Sequence, residues 1–254
     1  MTYPNIVKDT MVIDHSLQME IIRRVIEGNF GDQPAQAINA LGTVQIPGGR
    51  DVAAHLRHAV DAILIDTHGN IVLITREHNP GAGLLALPGG FIDPLKGVDG
   101  RSVVEKALVA VLREAAEETG ISEQLLANAQ VLPIGGRSYD RSFDIRYVWR
   151  DMPGTEIKEG DFVAVSTQGF CAVTTEDLSK IPLKAGDDAT KVHVLKIVDL
   201  VPGQFGILDH LPMIKAAMAS ACTSEAGAAT NPQRSTMKVA LKAQPTTLHV
   251  DGSK

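Results

Sequence analysis

The spacing of apolar and polar residues divides the chain into a series of elements. Leu17, Met19, Ile21, Ile22, Val25 and Ile26 recur at helical spacing after Ser16 and stop at Gly28, which predicts an amphipathic helix with a serine cap and a glycine end. From Phe30 to Arg50 the chain is rich in Gly, Pro, Gln and Ala, the composition of a linker or a short accessory hairpin. Two β-rich runs, AVDAILI (59–65) and IVLITRE (71–77), flank DTHGN, where Gly69 and Asn70 supply turn chemistry; the pair predicts a hairpin. Beyond the loop HNPGAG (78–83), LLALPGGF (84–91) reads as a short apolar strand broken by Pro88, Gly89 and Gly90, where bare backbone lets a ligand approach closely.

A long helix is predicted next. Ser102 and Glu105 have capping-box spacing, and Val104, Leu108, Val111, Leu112 and Ala115 recur at helical intervals until Gly120. Further strands are predicted at 130–135, 142–149 and 169–173, and a last helix from Leu208 to Ala219. Strands interrupted by helices favour an α/β sandwich over an all-β fold. The organisation expected is an accessory segment over 1–56, a core domain over 57–222, and a tail over 223–254 that adds an edge strand or stays mobile.

Composition adjusts this picture in three places. With 254 residues and 44% hydrophobic content, the chain can bury one substantial core. A formal net charge of -6 provides no global basic field for nucleic acid or an anionic membrane, so an anionic substrate needs local cations or metal ions. MTYPNIVKDT lacks a basic region leading into an apolar run, and no stretch approaches the roughly twenty apolar residues of a membrane span, so the expectation is a soluble, cytoplasmic protein. Cys171 and Cys222 have no CxxC spacing, which argues against a disulfide framework or a structural zinc site.

The chemistry concentrates in LREAAEETGI (112–121). At about 100° per residue, Glu117 and Glu118 follow Glu114 onto one side of the helix, along the flank of its apolar stripe. A generic glutamate cluster is a solvated helix face. Carboxylates this close repel one another, however, and Mg²⁺ or Mn²⁺ neutralises them naturally, since these cations take carboxylate, carbonyl, water and phosphate oxygens.

The run Arg113-Glu114-Ala115-Ala116-Glu117-Glu118-Thr119-Gly120-Ile121, following LPGG, resembles the second half of the Nudix box, R-E-U-x-E-E-x-G-U, at every specified position. The resemblance implies a Nudix-type α/β/α sandwich with a mixed sheet, flanked here by an N-terminal extension and a C-terminal tail. It also implies Glu114, Glu117 and Glu118 as metal ligands, joined by the carbonyl of Gly90, with Arg113 as an orienting ion-pair partner. The first half of the box departs from the family pattern. Glu105 stands at the right distance before Arg113, but position 99 is Asp, so the loop is longer; Glu105 is then either a capping residue or the retained box glutamate, and Asp93 or Asp99 is a substitute for it.

Further passages, HNPGAGLLALPGGFID, SYDRSFDIRY (138–147), AGDDA (185–189) and FGILDH (205–210), resemble Nudix proteins acting on ADP-ribose and related domains of nicotinamide nucleotide metabolism. That likeness implies hydrolysis of ADP-ribose to AMP and ribose 5-phosphate, a small-molecule nucleotide diphosphate partner rather than nucleic acid or membrane, and a homodimer. Arg141 and Arg146, with Arg76, become candidates for phosphate contact, because a guanidinium stays charged and binds two oxygens at once. Asp187 and Asp188 are turn formers by composition and a general base or extra metal ligand by analogy. Two alternatives stay open: a nucleotide-sensing regulator without hydrolysis, and a hydrolase of NADH, FAD, a nucleotide sugar or a dinucleoside polyphosphate.

Overall fold

A strand buried on both faces needs apolar residues at nearly every position, and VDAILI is such a run. In the computed structural model it is the end of a strand far longer than the run itself. The structure describes residues 15–28, 35–46, 48–78, 81–96, 102–128, 130–133, 141–148, 150–186, 189–207 and 209–225. The expected strand or tail beyond residue 225, and Asp99, Asp187 and Asp188, lie outside the described residues.

The chain runs through helix α1 (His15–Gly28), strands β1 (Ile38–Gln45), β2 (Asp51–Asp66), β3 (Asn70–Arg76), β4 (Leu85–Ala86), β5 (Gly89–Phe91), β6 (Pro94–Lys96) and β7 (Ser102–Val104). Helices α2 (Ala107–Thr119) and α3 (Glu123–Asn128) follow, then β8 (Gln130–Pro133), β9 (Arg141–Tyr147), β10 (Phe162–Thr174), β11 (Ala189–Lys196) and helix α4 (His210–Glu225). The main sheet has the order β11-β3-β2-β10-β8, with β1 and β5 also on β2, β4 on β3 and β9 on β10. It is mixed: β2 and β10 run parallel from Ala54↔Phe162 to Asp66↔Thr174, while the other pairings are antiparallel.

Side chains alternate across β2, and each set meets a different layer. Val60, Ala62 and Leu64 pack with Ala110, Val111 and Ala115 of α2. Ile63 and Ile65 pack with Leu211, Met213, Ile214 and Ala217 of α4. Helices on both faces of a mixed sheet make the α/β/α sandwich. Helix α1 uses Leu17, Ile21 and Val25 to cover Val44, Leu56 and Phe162.

Three expectations change. The strand predicted over 169–173 begins at Phe162: Ser166 and Thr167, though polar, are buried in the parallel pair. Strand β11 was not predicted; its exposed Thr190 and Lys191 dilute the apolar signal of a sheet edge. The helix predicted from Ser102 begins instead at Ala107: Ser102 lies in a short hairpin with β6, and Lys106 at the N-cap makes no side-chain capping bond. Glu105 does not cap, because its carboxylate is bound to Arg113.

Candidate active site

The LPGG segment crosses from one strand to another. Ala86 pairs with Ile74 of β3, whereas Gly89, Gly90 and Phe91 pair with Asp61, Val60 and Ala59 of β2. Pro88 has no N–H to place, and its carbonyl accepts from Ala62 N at 2.7 Å. Glycine is required here by close approach. A Cβ on Gly89 would collide with the Val60 carbonyl and with Asp61, and one on Gly90 would sit 2.6 Å from Glu114 Oε2.

Helix α2 brings its acids to this bare backbone. Glu118 Oε2 accepts from Gly89 N at 2.8 Å, and Glu114 Oε1 accepts from Arg113 Nη1 at 2.8 Å. The second oxygen of each accepts no hydrogen bond among the described residues. Both side chains are buried, and burial is the main reason that Glu114 rises from 4.5 to about 7 and Glu118 to about 8. The Gly89 N–H and the charge of Arg76 oppose the rise at Glu118, while Glu114 and Asp61 reinforce it. Glu117 differs: its side chain is 46% exposed and lies 3.0 Å from Arg113 Nη1.

Arg113 organises the cluster. Its Nε and Nη2 donate to the two oxygens of Glu105 at 3.0 and 2.9 Å, and Nη2 also donates to Phe91 O at 3.1 Å, with Asp93 at 3.5 Å. Glu105 is only 4% exposed, and the bidentate pair fixes the guanidinium so that its bond to Phe91 O holds α2 against the strand that carries Gly90. The neighbouring acids push the guanidinium further above its ordinary range.

The structure draws in Asp61, which sequence reasoning passed over, and gives His210, read as capping or packing the last helix, a defined partner. His210, at the start of α4, accepts from Leu87 N at its Nδ1 (3.0 Å), and its Nε2 lies 3.2 Å from Asp61 Oδ2. With Nδ1 accepting, the proton sits on Nε2 and is donated to Asp61. Both residues are buried, and together they anchor LPGG to the opposite layer. Asp61, a lone charge inside an apolar strand, was the signal available.

The remaining candidates fall differently. Arg76, at the end of β3, lies within electrostatic range of Glu118. Arg146 lies on β9 opposite Val163, and Arg141 is placed on the same strand opposite Gln168. The segment before Asp187 is tied to α2 by Lys184 N to Thr119 O (2.9 Å) and Gly186 N to Glu118 O (3.3 Å). A separate group, Asp66, His68 and Asp177, also has metal-ligating atoms close together. Asp66 there already accepts from the backbone N–H groups of His68, Asn70 and Leu178 and from the Asn70 amide, which makes it a turn staple.

The donor set at Glu114 and Glu118, two buried carboxylates with a free oxygen each beside backbone without side chains, suits a hard divalent cation. The profile of the NUDIX domain matches residues 55–193, more than half of the chain, and the chain belongs to the Nudix family. It is 38% identical over 108 residues to an ADP-ribose pyrophosphatase of Methanocaldococcus jannaschii, a match covering 42% of this chain and 57% of that protein. The chain thus spans little more than half the length of this relative. Among solved structures it is similar to the NUDIX domain of Shewanella oneidensis NrtR complexed with ADP ribose, at 21% identity and a TM-score of 0.41, covering 64% of this chain and 86% of that one. It is also similar to a bifunctional NMN adenylyltransferase/ADP ribose pyrophosphatase from Francisella tularensis, at 23% identity and a TM-score of 0.38, covering 64% and 40%. At such scores neither likeness bears on the ligands of this chain.

Proposed function

We propose that the chain is a divalent-metal-dependent pyrophosphohydrolase acting on a nucleoside diphosphate joined to a second group, with ADP-ribose, split into AMP and ribose 5-phosphate, as its leading substrate. One observation carries this reading: Glu114 and Glu118 are buried against Gly89 and Gly90, raised to about 7 and 8, and each keeps an oxygen unclaimed. Isolated surface acids have no reason to accept that cost.

In this assignment Glu114, Glu117, Glu118 and the Gly90 carbonyl hold Mg²⁺ or Mn²⁺. Such an ion, once bound, neutralises diphosphate oxygens and makes water a better nucleophile. Arg113, with Glu105 behind it, orients Glu114 and Glu117. Arg76, Arg141 and Arg146 contact phosphate. The water's proton passes to Glu114 or to Asp187 or Asp188, whose loop is tied to α2 through Gly186. The match to an ADP-ribose pyrophosphatase supports the substrate class. The domain so used is residues 57–222, with 1–56 as an accessory segment, and the working form is a homodimer.

The test is a substrate panel of ADP-ribose, NADH, FAD, a nucleotide sugar and a dinucleoside polyphosphate with Mg²⁺ or Mn²⁺, products being resolved by chromatography. Glu118→Gln is expected to keep its fold and lose turnover by on the order of 100-fold or more. Normal turnover in that variant would refute the assignment.

A further inference from the structure

The sheet face turned away from α2 carries two arginines. Arg57 on β2 lies opposite Val165 of β10, and Arg146 on β9 lies opposite Val163 of the same strand. Residues two apart on a strand project to one face, so both arginines share it. Phe91 of β5, paired with Ala59, shares it too. The Arg57 guanidinium sits 3.4 Å from the centroid of the Phe91 ring, a stacked cation over an aromatic face. Phe91 directly follows Gly90, and its carbonyl is held by Arg113. The platform is therefore fixed to the backbone that receives Glu114.

Packing alone does not account for this arrangement. Burial pulls the Arg57 guanidinium down to about 10, Arg146 adds repulsion, and Asp93 supplies the balancing charge. Asp93 is itself engaged by Arg113 at 3.5 Å. Among the described residues Arg57 makes no hydrogen bond and no ion pair, so a fork of five N–H donors is left to solvent or to a ligand. Leaving those donors unmet in a partly desolvated place is costly, and a second cation nearby raises the cost. An anion with several oxygens relieves both. Aliphatic residues at positions 57 and 146 would have covered Phe91 and Val163 without either penalty.

We infer that Arg57, stacked on Phe91 and flanked by Arg146, forms an anion subsite that grips a phosphate of the nucleotide diphosphate. This rests on the hydrolase reading for the ligand it takes, and it adds a specificity-determining residue, Arg57, stacked on Phe91, whose carbonyl Arg113 holds. The subsite selects for phosphate charge.

The experiment compares full-length wild type with Arg57→Gln and Arg57→Lys. ADP and adenosine binding is measured by calorimetry in Mg²⁺, and kcat and KM are measured for ADP-ribose. Arg57→Gln is expected to weaken ADP by about tenfold or more and to raise KM comparably, with kcat changed by less than about threefold. Adenosine, which has no phosphate, is expected to bind equally well, an outcome that a general loss of structure does not give. Arg57→Lys recovers part of the loss, because it restores charge without the planar fork. Should Arg57→Gln fail to fold, Arg146→Gln in the same pair of titrations carries the test. ADP binding at wild-type strength in the glutamine variant overturns the subsite, even where ADP-ribose is hydrolysed. Arg57-dependent ADP binding without turnover of any diphosphate upholds the subsite and overturns the hydrolase reading.

Discussion

Replacing Gly90 with alanine puts the geometry of the acidic site to its most direct trial. The added Cβ would lie 2.5 Å from Glu114 Cδ and 2.6 Å from Oε2, where ordinary contact starts near 3.4 Å. The carboxylate has to retreat by roughly 1 Å, the difference between those separations. Retreat lengthens the 2.8 Å bond from Arg113 Nη1, and the surrounding site is buried, so little room exists to absorb the shift. Overpacking of this kind costs about 1–3 kcal/mol, and weakening a charged hydrogen bond adds to it. Because the far end of a side chain gives way more easily than backbone, about 2 kcal/mol is expected in total, lowering the melting temperature by roughly 4–8 °C for a domain of this size. Metal affinity suffers more: Mn²⁺ binding, followed by calorimetry, is expected to weaken about 10- to 100-fold as Glu114 leaves its place. Gly203→Ala is the control, since a Cβ there meets nothing within 4 Å, and neither quantity is expected to move. Wild-type Mn²⁺ affinity in Gly90→Ala would refute the claim that Glu114 and Gly90 share a cation.

Arg113→Ala strands Glu105 in a buried position without its bidentate partner, which is expected to cost about 3–5 kcal/mol in urea denaturation; a loss under about 1 kcal/mol would contradict the account. In metal-free protein Glu118 and Glu114 are raised from 4.5 to about 8 and 7, so the native state keeps protons that the unfolded chain releases. Their contribution is therefore fully present below the unfolded value of 4.5 and is lost as pH climbs through about 7 and 8, and chelator-treated protein is expected to be less stable at about pH 8 than at about pH 6. A rise in stability across that window would count against it. His210→Ala leaves both Asp61 and the Leu87 N–H without their partner and is expected to cost about 3 kcal/mol, read as a shift in urea midpoint; a change below about 0.5 kcal/mol would show that the pair does not anchor LPGG.

The acidic part of the site was legible because its residues stand at fixed spacing on one helix. Glu114, Glu117 and Glu118 share a side of α2 whatever surrounds them, and the Gly-Gly pair of LPGG announces a close approach of backbone. The apolar run at 59–65, broken only by Asp61, likewise announces a strand. Local spacing is decided by bond geometry, so it survives without knowledge of the fold.

Other features were settled by the tertiary structure alone. Whether Glu105 capped a helix or braced Arg113 depended on where β6 and β7 turned the chain, and spacing permitted both. Glu114 and Glu118 parted from Glu117 because only they face the glycines of β5. Asp61 and His210 come from β2 and α4, and Arg57, Phe91 and Arg146 from β2, β5 and β9; no local period relates them. Contacts between residues so distant in the chain follow from strand order and register, which are fixed by the packing of the whole sheet and not by any single segment.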